Sequence, residues 1–61
     1  MHRNDPTFRL CVPAWYKATP RLLQWAEDEY DKVIELSVKE RIKAMKPINA
    51  KIIRTHRELI R

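Results

Sequence analysis

The 61-residue chain contains no glycine, and that absence excludes more chemistry than any residue present suggests. Phosphate-cradling loops, the dinucleotide-binding turn and the nucleophile elbow all need glycine, where the backbone takes positive φ or a ligand presses close. Tight primed hairpin turns and Schellman helix ends favour it as well. Compact β-meanders are therefore disfavoured, and proline is left to punctuate the chain. Cysteine is almost as scarce. Cys11 stands alone, so no intrachain disulfide can form, and the distant His2 and His56 lack the spacing of a zinc site. No metal or cofactor is expected. Long apolar runs are missing too, which excludes a transmembrane segment.

What is present is 44% apolar and 34% charged, with a formal net charge of +5. That is too hydrophobic for a typical disordered tail. A chain this short buries only about 60% of its extended surface, and small chains usually need a disulfide, a metal or a partner to hold a fold. With the first two excluded, a protein partner or very economical helix packing is expected. The length allows a single small unit without independent domains.

Pro6, Pro13 and Pro20 prevent the first third from being one regular helix, so residues 1–18 read as an extended N-terminal arm. Within it Phe8, Leu10 and Val12 alternate with Arg9 and Cys11, a period of two that suits extended backbone with one buried face. Trp15 and Tyr16 follow Pro13. They either pack on the first turn of the next helix or, with Phe8, Leu10 and Val12, anchor the arm on a partner.

Thr19-Pro20 is a strong helix start, because threonine caps free N–H groups and proline at the first helical position loses no hydrogen bond. Nothing breaks the pattern before Pro47, which predicts an amphipathic helix over 19–46, about 40 Å long. Its apolar stripe holds Leu22, Leu23, Ala26, Tyr30, Val33 and Ile34, a candidate partner-binding face, and continues through Ala44 and Met45. Asp28 with Lys32, and Glu35 with Lys39, are acid-before-base pairs at i,i+4. Pro47 then predicts a bend, followed by a short basic amphipathic helix over 47–61 with Ile48, Ile52, Ile53, Leu59 and Ile60 on one side. The bend is either an open elbow or a helical hairpin. The fold class expected is all-α.

Charge is uneven along the chain. Residues 1–18 carry a net +2, residues 19–35 a net −3 and residues 36–61 a net +6. In the last segment Lys51, Arg54, Arg57 and Arg61 recur every three or four residues as a basic face. Such a helix suits nucleic acid, a peripheral membrane surface or acidic protein. The acidic cluster Glu27, Asp28, Glu29 and Asp31 opposes a phosphate surface, and no helix-turn-helix or RRM signature is present. Catalysis has less to stand on, because those carboxylates crowd one helical turn instead of facing each other across a pocket. No nucleophile has a base nearby in sequence.

The expectation from sequence is thus a non-catalytic accessory subunit bound to the protein subunits of a larger intracellular assembly, with nucleic-acid binding, including ribosomal RNA, as the alternative. A lone cysteine suits a reducing interior, and the N-terminus lacks the apolar core of a secretory signal. The basic first 18 residues have the charge of an organellar targeting segment, although their prolines spoil its amphipathic helix. A mitochondrial assembly is accordingly one expected home.

Overall fold

Two cap-and-proline pairs organise the first half of the chain. Asp5 and Thr19 take extended backbone, their side chains accept hydrogen bonds from Thr7 N and Leu22 N, and Pro6 and Pro20 each occupy the first helical position. The result, in a computed structural model that describes residues 2–60, is an all-α chain without strands among those residues. Helix α1 spans Pro6–Cys11, α2 spans Pro20–Asp31 and α3 spans Val38–Leu59, with short 3-10 turns at His2–Asn4 and Trp15–Lys17.

The N-terminal third is therefore not an extended arm. Phe8, Cys11 and Val12 are all buried, and their i, i+3, i+4 spacing is as helical as the alternation of Phe8, Leu10 and Val12 is strand-like. The Asp5-Pro6 cap decides between the two. Val12 closes the helix by donating its N–H to the Phe8 carbonyl at 2.8 Å, and Pro13 cannot continue it.

The helix expected over 19–46 is also divided. Helix α2 ends at Asp31, residues 32–36 form successive turns, and Ser37 caps α3 by accepting a hydrogen bond from Glu40 N at 3.3 Å. Ser37-Val38-Lys39-Glu40 is the S-x-x-E pattern of a helix start. An unbroken helix would leave its whole apolar stripe uncovered, whereas breaking it lets Tyr30 and Met45 share one core. Lys32 consequently pairs with Glu29 at 3.0 Å instead of Asp28, and Asp28 accepts from Gln24 Nε2 at 3.0 Å.

Pro47 does not end a helix. It lies inside α3 on an exposed position, where water can reach the carbonyl that its missing N–H cannot serve. Neither the open elbow nor a hairpin at Pro47 is formed. The chain does reverse, but ten residues earlier, at 32–37.

The resulting path is up-down-up. Phe8, Tyr30 and Arg41 meet at one end, with the Phe8 and Tyr30 rings edge-on at 5.2 Å and Arg41 donating to the Tyr30 hydroxyl at 3.2 Å. Towards the other end Ala14 N donates to Asn49 Oδ1 at 2.9 Å, and Lys51 Nζ lies 5.2 Å from the centre of the Trp25 ring. Helix α3 is thus the spine on which both α1 and α2 pack. The core contains Phe8, Cys11, Val12, Ala14, Leu23, Ala26, Tyr30, Met45 and Ile52, drawn from all three α-helices and the residues just after α1. No helix among the described residues is long and apolar enough to cross a membrane.

Candidate functional site

Antiparallel packing of α2 on α3 leaves a shallow groove near the start of α2. Thr19, Arg21, Leu22 and Trp25 line it from one side, Lys51 and Thr55 from the other. Its position follows from the fold. The Thr19 cap fixes where α2 begins, the reversal at 32–37 fixes the register, and Trp25 is thereby set against the basic side of α3. The Lys51 ammonium over the indole is a cation–π contact. Arg21 and Lys51 are both exposed, on opposite walls, and no carboxylate lines the groove.

Trp25 was absent from the sequence-derived candidates. It stands three residues after Leu22, at the margin of the apolar stripe, and only the hairpin register brings it to Lys51. Of the basic face, Lys51, Arg54 and Arg57 are exposed, and Arg61 lies outside the described residues. Arg54 and Arg57 line a second shallow depression with Glu58 and Ile60. None of these three cations forms an ion pair among the described residues.

The residues assigned to partner binding divide differently. Phe8 and Val12 of the expected arm, and Leu23, Ala26 and Tyr30 of the expected stripe, are buried inside the chain itself. They face this protein's own core because the N-terminal segment folds onto α3 and covers them. Leu22, Val33 and Trp15 are partly buried against that core, with the Arg9 guanidinium 4.2 Å from the Trp15 ring. Leu10, Tyr16 and Ile34 remain exposed, and so do Leu36, Val38, Leu59 and Ile60, the last two at 63% and 70%. Leu59 ends α3 and Ile60 caps it, beyond Thr55, which lines the groove with Leu22.

The acidic turn is also rearranged. Glu27 is buried, only 3% exposed. It accepts hydrogen bonds from Arg3 N at 2.9 Å, Arg3 Nε at 3.1 Å and Arg3 Nη2 at 2.6 Å. Burial pushes its carboxyl up, but the hydrogen bonds from the Arg3 side chain and backbone, with the guanidinium charge, hold it below the usual carboxylate range. Asp31 Oδ1 lies 3.1 Å from His2 Nε2. No group of three or more metal-ligating side chains occurs among the described residues. Burial raises the Cys11 thiol, with Arg41 opposing and Asp5 adding to the shift, so a thiolate is disfavoured.

Arg41 and Asn49 gave no signal in the sequence. Arg41 donates from Nε to the Leu36 carbonyl at 2.8 Å and from its other nitrogens to the Ile34 carbonyl and the Tyr30 hydroxyl, holding the reversal to α3. Asn49 holds the segment after α1, its Oδ1 accepting from Ala14 N. Apart from the Tyr30 hydroxyl, the partners of both residues are backbone carbonyl or N–H groups, which residue types alone do not reveal.

The chain matches no known protein family, no curated protein and no solved structure.

Proposed function

We propose that this chain is a non-catalytic accessory protein that docks, already folded, on protein subunits of a larger intracellular assembly. The observation that carries this reading is the exposure of Leu59 and Ile60 at the end of α3, in a molecule whose other large apolar groups mostly fill its own core. Clustered apolar side chains at a surface suit a contact with another protein. Ile34, Leu36 and Val38, in and next to the reversal, are also exposed. The intracellular placement rests on Cys11, a buried free thiol suited to a reducing interior. Recovery of the tagged full chain from its native source, with nuclease present, tests the proposal. Stoichiometric proteins that are lost from a Leu59→Ser, Ile60→Ser variant of unchanged helicity support docking through this end. A chain recovered alone refutes it.

One structural observation favours nucleic acid as a second reading. Glu27 is paired with Arg3 and buried, so the acidic turn opposes phosphate less than its composition suggests, while Lys51, Arg54 and Arg57 stay open. If recovery of partners depends on intact nucleic acid, this reading replaces the first.

A further inference from the structure

Resting on the protein-docking reading, we propose that the groove between α2 and α3 receives an acidic amphipathic helix of a partner protein. Its floor is apolar, formed by Leu22 and Trp25, and its margins carry Arg21 on α2 and Lys51 on α3. A ligand that fits must offer apolar groups along one line and negative charge on both sides of it. An amphipathic helix with leucine-like residues at i and i+4 and carboxylates flanking them has that arrangement. Charge selects it, because two cations and no carboxylate line the groove, and complementary margins fix orientation and exclude basic competitors.

A nucleic-acid strand fits less well. Its phosphates would meet two cations on opposite walls instead of a row, and the sugar-phosphate backbone has nothing apolar to place on Leu22. A base could stack on Trp25 once the Lys51 ammonium, 5.2 Å from the ring centre, moves aside, and the oligothymidylate titration reads that outcome. The ammonium that shields the indole from water in the free protein is free to turn to a carboxylate when an apolar side chain takes its place.

The test is an NMR titration of the isotopically labelled full chain with a synthetic helical peptide carrying leucines at i,i+4 spacing among glutamates. A lysine-for-glutamate counterpart and oligothymidylate are titrated in parallel. Saturable shifts of the Trp25 indole N–H and of Arg21 and Lys51, specific to the glutamate peptide, are expected. An Arg21→Glu, Lys51→Glu variant should weaken that binding by about tenfold or more and prefer the lysine peptide. Both side chains are exposed, so circular dichroism should be unchanged. The proposal falls if Trp25 does not shift, if both peptides bind alike, or if oligothymidylate displaces the glutamate peptide. Should it fall while proteins still co-purify through Leu59 and Ile60, docking stands and only the groove assignment is lost. Should the groove bind the glutamate peptide while nothing co-purifies, the reverse holds.

Discussion

Glu27 ties the first residues of the chain to α2, and its environment makes that tie dependent on pH. A carboxylate this buried is tolerated because Arg3 supplies three hydrogen bonds and a charge. Since its folded pKa is lowered, the folded state favours the ionised form more than the unfolded state does. The stabilisation is therefore complete above the unfolded carboxyl pKa and is lost as pH falls through the lower folded value. Glu27→Gln removes the charge but keeps the shape, and it should cost about 1–3 kcal/mol near neutral pH. The gap between variant and parent should close as pH drops from about 5. Chemical denaturation of both at several pH values measures this, and a gap that widened in acid would contradict the role given to Arg3.

At the scale of elements, Pro47 sets local preference against packing. Proline inside a helix costs about 3 kcal/mol, which made a bend the reasonable reading of the sequence. Burying a large apolar side chain contributes about 1.5–3 kcal/mol, and Met45 and Ile52, on either side of Pro47, are both fully buried on one face of α3. Together they outweigh the proline. Pro47→Ala should therefore raise the melting temperature, by an amount reflecting up to about 3 kcal/mol. A lowered one would mean that α3 depends on the proline ring at this position. The same competition explains what could be read beforehand. Thr19-Pro20 was legible because cap and proline agree with the apolar stripe that follows. Asp5-Pro6 carries the identical signal, yet the six-residue α1 is short enough for a strand pattern to fit equally well. Ser37 and Glu40 mark the start of α3, but Val33 and Ile34 continue the stripe of α2 and mask the break. Lys51, Arg54 and Arg57 were legible as a basic face from their spacing alone. Their neighbour Trp25 was not, because helical periodicity says nothing of which residues meet across a hairpin.

Taken whole, the molecule is close to the compactness of a folded domain of its length: its Cα radius of gyration is 10.9 Å, against about 10.5 Å expected. The N-terminal segment buries its apolar groups within the chain itself, so any partner would meet a surface that is already folded. Which partner reads the basic side of α3 is then decided by salt. If Lys51, Arg54 and Arg57 neutralise phosphates, log affinity for single-stranded RNA should fall linearly with log salt, with a slope of about −0.7 per phosphate contacted. Changing all three to glutamine should then flatten the slope by about 2. If they serve a protein surface, RNA binding should remain that of any weakly basic peptide, and the triple variant should alter neither its strength nor its slope. The second result is expected. Glu58 lines the same depression as Arg54 and Arg57, and its carboxylate would oppose a phosphate chain laid along that side of α3. A steep slope lost in the glutamine variant would show the basic side to be a nucleic-acid surface and would leave Leu59 and Ile60 as the remaining candidates for protein contact.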